Sequence, residues 1–234
     1  MKSDPNTNMI LNVPFTLPRD ELQANLAIGP GSKFEAAFEE LLQQVDAIAR
    51  PKALYQVAYI EKRGPAEITI ADTTFHSPAM RANLDNIGRV FPYIATCGTE
   101  VDEIPIDPDD MIQTYWHSII KLALLRISVA FLRQTIQERY RLTKLSAMNP
   151  GSGEAGVWPI EEQRLLFSLF GGSTAVEQAI GVQLLPSYLM TPDMSASGIL
   201  FPSEKTFFNC QLCQREDCPS RQAPFDAVLW ESVQ

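Results

Sequence analysis

The sequence has no cluster of basic residues and very few histidines. Nineteen lysines and arginines stand against 28 aspartates and glutamates, which gives a formal net charge of −9 at pH 7. Binding to nucleic acid or to an anionic membrane surface depends on clustered positive charge, so we expect neither partner. The two histidines, His76 and His117, are too few for a typical catalytic metal site. No Gly-x-Ser-x-Gly or His-Glu-x-x-His string supports a hydrolase.

A long apolar segment is also missing. The most apolar stretch, Ile119 to Leu132, contains Lys121 and Arg126 and is shorter than the ~20 residues that a bilayer span requires. The polar start of the chain, residues 1–8, has the features of neither a signal peptide nor a transit peptide. Apolar residues make up 45% of the composition, as in a globular protein with a sizeable core. The few cysteines are clustered, which is typical of a reducing compartment, and we expect a cytoplasmic protein.

Helices and strands are predicted without a regular βαβ period, so the expected fold class is α+β. The longest element is a helix from Asp109 or Asp110 to about Arg141, whose wide apolar stripe is suited to the spine of a core. We divide the chain into an extended arm (1–19), a single α+β domain (20–208) and a Cys-rich metal-binding tail (209–234). The other elements predicted from apolar periodicity are helices at 32–48, 81–87, 159–170 and 174–180, and strands at 53–60, 67–70, 89–96, 183–190 and 197–201.

Three of the four cysteines form the most specific local motif, Cys210-x2-Cys213-x4-Cys218-Pro219. Such spacing lets three thiolates bind one metal, and a fourth ligand is then expected from elsewhere or from solvent or substrate. Cys97, at a predicted strand end, is the main candidate for that ligand, and His76 is a weaker one. A [4Fe-4S] cluster and a zinc ion both fit, and the Cys-Pro pair favours the cluster. The alternative is a set of reduced thiols without a metal.

A glycine-rich segment, Gly151-x-Gly153-x-x-Gly156, matches the dinucleotide-binding fingerprint as a bare string. That fingerprint requires a strand before the first glycine and a helix directly after it. Here a long predicted helix comes before the glycines, and Pro159 follows them. We therefore expect a loop that allows the backbone to approach a ligand or a packed element.

Several segments resemble the reactivation (activation) domain of vitamin-B12-dependent methionine synthase. They are Pro150-Gly151, Trp158-Pro159-Ile160-Glu161-Glu162-Gln163, Ile180-Gly181-Val182-Gln183-Leu184 and Met190-x-Pro192-x-Met194-Ser195-Ala196-Ser197-Gly198. The stretch Tyr115-Trp116-His117-Ser118-Ile119-Ile120 is similar to the helix that precedes the ligand loop in that family. The resemblance implies an activation-domain-like fold, with a mixed or antiparallel sheet and a long central helix.

In that family the domain binds S-adenosylmethionine and docks over cobalamin, where an oxidised cob(II)alamin is reduced by one electron and remethylated. Where the family's ligand loop has an arginine and a tyrosine, this sequence has Ala147 and Ser152. The acidic residue that the family uses on its long helix has no counterpart between Met111 and Gln137. The ligand-binding residues implied by the resemblance are Pro150, Gly151, Ser152, Gly153, Glu154, Met194, Ser195, Ser197 and Gly198.

The resemblance and the cysteine motif together imply three alternative functions. The first is an accessory protein that assists reductive reactivation of a protein-bound cobalamin, with an iron–sulfur centre on Cys210, Cys213 and Cys218. The second is a non-enzymatic docking module for a corrinoid protein with a structural zinc. The third is a methyltransferase component that binds S-adenosylmethionine through altered contacts. The expected partner is a corrinoid-binding protein or a methyltransferase, with an electron donor in the first case. Because the catalytic modules are not recognised, a complete methionine synthase is not expected.

Overall fold

The computed structural model describes residues 6–152, 157–203, 207–218, 221 and 223–232. It has the α+β architecture that the sequence predicts. The helices are α1 (Arg19–Asn25), α2 (Glu35–Ile48), α3 (Pro78–Asn83), α4 (Met111–Tyr140), α5 (Gln163–Ser168), α6 (Ser173–Ile180) and α7 (Ala227–Ser232). The strands are β1 (Met9–Asn12), β2 (Lys52–Tyr55), β3 (Ala58–Arg63), β4 (Glu67–Ile70), β5 (Thr73–His76), β6 (Arg89–Thr96), β7 (Leu145–Met148), β8 (Gln183–Leu184), β9 (Met190–Thr191) and β10 (Ser195–Pro202).

Strand β6 is the centre of the main sheet, which has eight antiparallel strands in the described part of the chain. The order is β1-β2-β6-β3-β4-β5, while β10 pairs with β6 and β7 pairs with β10. Strands β2 and β3 pair with successive parts of β6 in the same register. Tyr55 of β2 pairs with Tyr93, and Ala58 of β3 pairs with Val90. The single strand predicted over 53–60 is therefore interrupted only at Gln56 and Val57.

Both faces of β6 are covered, which explains its almost continuous apolar sequence. Phe91 and Tyr93 belong to a buried cluster with Leu132 and Ile136 of α4. Ile94 faces the other way and packs in a cluster formed by α5 and α6. A strand buried on both faces does not alternate between polar and apolar residues, and this one is buried from Val90 to Thr96.

The long helix α4 confirms the predicted spine. Asp110 caps its start, because the side chain accepts hydrogen bonds from the backbone nitrogens of Ile112 and Gln113 at 3.1 and 2.9 Å. Arg141 ends it in the left-handed conformation with φ 55°. Ser128 lies on the buried face, where its hydroxyl donates to the Thr96 carbonyl oxygen at 2.9 Å. This bond ties the helix to the end of β6.

One predicted strand needs correction. The strand predicted over 183–190 is two short strands, β8 and β9, which pair with each other around the turn at 185–189. The predicted N-terminal arm includes β1, which pairs with β2 at the sheet edge, and α1 begins at Arg19. Within the described residues, no helix combines the length and the apolar character that a membrane crossing needs.

Candidate functional site

A cleft of about 830 Å³ lies between α4 and the first residues of β10. The loop after β7, the start of α5 and the turn between β8 and β9 close its other sides. A cavity of this size fits a cofactor-sized molecule. Its described lining residues are Tyr93, Leu122, Leu125, Arg126, Val129, Asn149, Pro150, Ser152, Ile160, Gln163, Tyr188, Leu189, Met190, Asp193, Ser195, Ala196, Ser197 and Arg221.

Asn149 ties the loop after β7 to two strands at the floor of the cleft. Its Nδ2 donates to the Tyr93 Oη and to the carbonyl oxygen of Ser197, both at 2.7 Å. Burial raises the pKa of Tyr93, so its hydroxyl remains protonated at neutral pH. Because the Tyr93 oxygen already accepts from Asn149, its own hydrogen is available to an acceptor in the cleft.

The side chains along β10 continue this polar floor. The Ser197 hydroxyl donates to Gln163 Oε1 at 3.0 Å, and Gln163 Nε2 donates to the Tyr188 carbonyl oxygen at 3.3 Å. The Ser195 hydroxyl donates to Thr96 Oγ1 at 3.1 Å. These contacts fix neutral donors and acceptors before any ligand enters, which lowers the entropy cost of binding.

An ion-pair group holds the entrance to β10 against α4. The Lys121 ammonium contacts Asp102 Oδ1 at 2.6 Å and also contacts Asp193 Oδ1. Burial acts to lower the pKa of Lys121, but its hydrogen bonds to the two aspartates outweigh burial and raise this pKa. For Asp193, burial acts to raise the pKa, while the Lys121 hydrogen bond and charge lower it. The carboxylate of Asp193 in the cleft wall is therefore charged and already paired.

Two arginines line the cleft from opposite sides. Arg126 comes from α4 and is exposed, and Arg221 comes from the C-terminal tail. Arg126 also lines a separate apolar groove of about 550 Å³ between α4 and α1. It therefore lies on the rim that the two cavities share.

The loop that the resemblance implies as ligand-binding packs against the segment before α5. Gly151 has φ +71°, and its nitrogen donates to the Trp158 carbonyl oxygen at 2.9 Å. A Cβ there would lie 2.7 Å from Ile160 Cδ1, so a side chain would disturb this packing. Trp158 in turn donates through Nε1 to Glu162 Oε2 at 3.0 Å. The resemblance segment 158–163 thus supports the loop from behind.

Gly198 allows close packing at the cleft floor because it has no side chain. A Cβ at this position would collide with the Met148 carbonyl oxygen and lie 2.5 Å from Asn149 Nδ2. The residue therefore allows β7 and the Asn149 side chain to approach β10 closely.

The structure brings most of the residues implied by the resemblance to one place. Pro150, Ser152, Ser195 and Ser197 line the cleft. Gly151 and Gly198 lie behind the lining, as described above. Met194 packs instead against the cluster formed by α1, α2 and α4. Gly153 and Glu154 lie outside the described residues, as does Gly156. Whether these residues bind a ligand stays a prediction.

The lining residues that the sequence analysis missed include Tyr93, Asn149, Gln163, Arg126 and Arg221. Asn149 directly precedes the Pro-Gly pair of the ligand loop, and Gln163 ends the segment that begins at Trp158. Arg126 was noticed only as an interruption of an apolar stretch. A charge within the apolar stripe of a long helix indicates a polar site: Arg126 lines the cleft, and Lys121 forms ion pairs beside it.

The cysteines are not assembled into one ligand set. Cys97 is completely buried in the cluster between α2 and α4, and burial raises the pKa of its thiol to about 12. Leu212, between Cys210 and Cys213, packs in a different cluster with Trp158 and Phe201. Among the described residues, no group of three or more His, Cys, Asp and Glu side chains is arranged to hold a metal ion. An iron–sulfur cluster or a zinc ion on these cysteines therefore stays a prediction.

Both histidines contact oxygen atoms of the protein. His76 Nδ1 lies 3.1 Å from Glu162 Oε1, and its backbone nitrogen donates to the same carboxylate at 2.8 Å. His117 Nε2 lies 2.9 Å from the Val101 carbonyl oxygen. Neither histidine forms part of a metal-binding group within the described residues.

Comparisons with known proteins agree with the fold. No family model matches the sequence, and no curated protein matches it. Among solved structures, the crystal structure of the MetH reactivation domain bound to AdoHcy is similar to this chain. The match covers 88% of this chain and 82% of the other, with a TM-score of 0.53 and 13% sequence identity. The chain has a reactivation-domain fold. This confirms the fold predicted by resemblance, and at 13% identity the likeness concerns the fold alone.

Proposed function

We propose that this chain binds a ligand of the S-adenosylmethionine type in the cleft and assists the reductive reactivation of a corrinoid on a partner protein. The observation that carries the proposal is the polar floor around Asn149, which lies where α4 meets the start of β10. The similar solved domain is described as bound to AdoHcy, which supports a ligand of that chemistry.

The residues of the chain bind and orient the ligand in this proposal. Asn149 holds the floor, while Tyr93 offers a hydroxyl hydrogen and Ser152 lies on the loop beside it. S-adenosylmethionine would transfer its methyl group to the reduced corrinoid of the partner and leave as AdoHcy. The one electron that reduces each cob(II)alamin comes from a separate reduced donor.

The first experiment measures AdoHcy binding by isothermal titration calorimetry. We expect one binding site in the wild-type chain and a loss of about tenfold or more in affinity for Asn149→Leu, because two hydrogen bonds of the floor are removed. Asn86→Leu is the matched control, since Asn86 is exposed and does not line the cleft. Absence of AdoHcy and S-adenosylmethionine binding to the wild-type chain would contradict the proposed ligand.

The proposed partner contacts the mouth of the cleft. Leu189 lines the cleft and has 61% of its surface exposed, although it is a large apolar residue. A corrinoid protein that covered the mouth would bury it. We expect Leu189→Asp to weaken binding to a corrinoid protein in analytical ultracentrifugation. The exposed apolar Val228 lies on α7, and Val228→Asp is the control.

The cysteine motif supports a second candidate for the electron source, a cluster on the tail itself. The spacing of the three cysteines is the observation that favours this cluster. The described residues hold no assembled ligand set. Anaerobic purification followed by iron, sulfide and zinc analysis tests it. About four irons and four sulfides per chain, lost in Cys213→Ser, would support electron delivery by the tail. One zinc would favour the docking module, because zinc carries no electrons.

A further inference from the structure

The charges that line the cleft differ in sign from the charge of the chain as a whole. The chain has a formal net charge of −9. The described charged residues of the cleft wall are Arg126, Arg221 and Asp193. Asp193 is already paired with the buried Lys121. Among the described lining residues of this cleft, positive charge therefore exceeds negative charge.

Arg126 projects from α4 at the rim of the cleft. Among the described residues, no carboxylate forms an ion pair with its guanidinium. The side chain is exposed, and it lies between the cleft and the apolar groove beside α1. A guanidinium with five donors and no fixed acceptor can turn towards a ligand and bind it in a bidentate manner.

Arg221 is held in place by neutral groups. Its Nη1 donates to the carbonyl oxygens of Cys210 at 3.3 Å and Ala223 at 3.0 Å. Its Nη2 donates to that of Cys213 at 3.0 Å and also to that of Arg215, so all four Nη hydrogens are used. Its Nε is shielded from solvent and has no hydrogen-bond partner in the described part of the chain. Carbonyl dipoles orient the guanidinium but do not neutralise its charge. The tail thereby presents a fixed positive charge to the cleft.

The neutral floor complements these two charges. Tyr93 has an available hydroxyl hydrogen, and among the described residues no carboxylate lies in the floor around Asn149 and Ser197. Positive charge at the rim and neutral donors below favour an anionic group and disfavour a cation.

We propose that the cleft selects ligands that carry a carboxylate or phosphate group, that Arg126 binds this group, and that the fixed charge of Arg221 attracts it. The inference rests on the proposed function, because it concerns the same cleft. It deepens that function in two ways. It makes the anionic part of the ligand the main determinant of affinity, and it makes the cysteine tail a wall of the ligand site.

The test compares AdoHcy with 5′-methylthioadenosine, which has the same nucleoside and thioether but lacks the amino-acid carboxylate. We expect Arg126→Gln to weaken AdoHcy binding about tenfold or more, as for loss of a charge-assisted hydrogen bond. Arg221→Gln should weaken it by a smaller factor, because it removes a nearby positive charge and no hydrogen bond to the ligand. Affinity for 5′-methylthioadenosine should change less than twofold. The amino group of AdoHcy cannot produce this pattern, because loss of a positive charge would strengthen its binding. Lys62→Gln removes an exposed positive charge of β3, outside the cleft, and should change neither affinity.

Competition separates the two anion types. Inorganic phosphate that displaces AdoHcy at millimolar concentration, with no displacement by acetate, assigns a phosphate site, and the reverse assigns a carboxylate site. Equal effects of the arginine variants on AdoHcy and 5′-methylthioadenosine, or no effect on either, would overturn the inference. Arg126→Gln alone keeps the test valid if Arg221→Gln unfolds the tail.

Failure of the proposed function has a different signature. If neither nucleoside binds the wild-type chain, the nucleoside ligand is wrong, and the anion site is tested with inorganic phosphate alone. Broadening of the phosphate ³¹P resonance by the wild-type chain that disappears in Arg126→Gln would support the site. No broadening by the wild-type chain would overturn it.

Discussion

The floor of the cleft and the cysteine tail lie side by side but are held by different kinds of contact. The floor joins side chains from distant elements, as in the bonds from Asn149 to Tyr93 and from Ser197 to Gln163. In the tail, one guanidinium, Arg221, binds backbone carbonyl groups close to it in sequence. A change in the floor therefore disturbs the core of the domain, whereas the loss of the Arg221 contacts remains local.

The largest effect on stability is expected for Gly198→Ala, which would force β7 and β10 apart. The new Cβ would collide with the Met148 carbonyl oxygen, so the free energy of unfolding should fall by about 3 kcal/mol, the upper range for overpacking. Chemical denaturation measures this loss. Gly29→Ala is the control, since nothing lies within 4 Å of a Cβ there. Equal stability of the two variants would show that the floor is not tightly packed at β10.

Asn149→Leu should have the second-largest effect. It removes two hydrogen bonds of 2.7 Å and leaves the Ser197 carbonyl oxygen without this donor. We expect a loss of about 2 kcal/mol in the free energy of unfolding, measured by urea denaturation. The variant Asn86→Leu should lose less than about 0.5 kcal/mol, as is usual for surface changes. A similar small loss for Asn149→Leu would contradict the role of the floor as part of the core.

Lys121→Met tests the ion-pair group with pH. The pKa of Asp193 is lowered, so its contribution to stability exists above its unfolded pKa and is lost as the pH falls through the folded pKa. The pKa of Lys121 is raised, so its contribution is lost only as the pH rises through the folded pKa. We expect Lys121→Met to cost about 1 kcal/mol at pH 7, because both aspartates are partly exposed.

The cost of Lys121→Met should shrink as the pH falls through the lowered folded pKa of Asp193, because this carboxylate then becomes protonated. Thermal denaturation at several pH values from 7 down to about 2 measures this dependence. Lys62→Met, at an exposed position, controls for the loss of a positive charge. A cost that does not change over this range would show that Lys121 stabilises the protein by packing and not by pairing.

Arg221→Gln should have the smallest effect on global stability, within about 0.5 kcal/mol, because its contacts are confined to the tail. Hydrogen exchange should nevertheless become faster in the peptides over 207–218 and remain unchanged over β6. Arg215→Gln is a close control, since its exposed side chain is not used in these contacts. Faster exchange over β6 as well would show that the tail and the floor unfold together.

Periodicity and resemblance predicted the parts of the fold that depend on local sequence. The apolar spacing of α4 and the Asp110 cap are local signals, and the predicted helix matches the observed one at both ends. The resemblance predicted that Pro150, Ser195 and Ser197 lie at one cleft, because the similar segments occur in the same order as in that family. Tyr93 could not be found in this way, because its role depends on a bond to Asn149 across 56 positions.

The cysteine motif shows the opposite outcome. Spacing indicates which thiolates can reach one metal, but it does not indicate where the chain places them. Cys97 lies in the α2–α4 cluster, while Leu212 of the tail packs beside Trp158. The packing of these two separate clusters sets the distance between Cys97 and the tail cysteines. No local sequence pattern encodes this packing.

The strand pairing behind the cleft also bears on the order of folding. Ser195 meets Thr96 across 99 positions, whereas Arg221 reaches Cys210 across 11 and Cys213 across 8. Contacts between distant positions close large loops, so they form late in folding, while local contacts form early. The cleft floor should therefore be completed in a late step, after α4 and the hairpins exist. A ligand added to a refolding chain would slow its unfolding but would not accelerate the first stages of its folding.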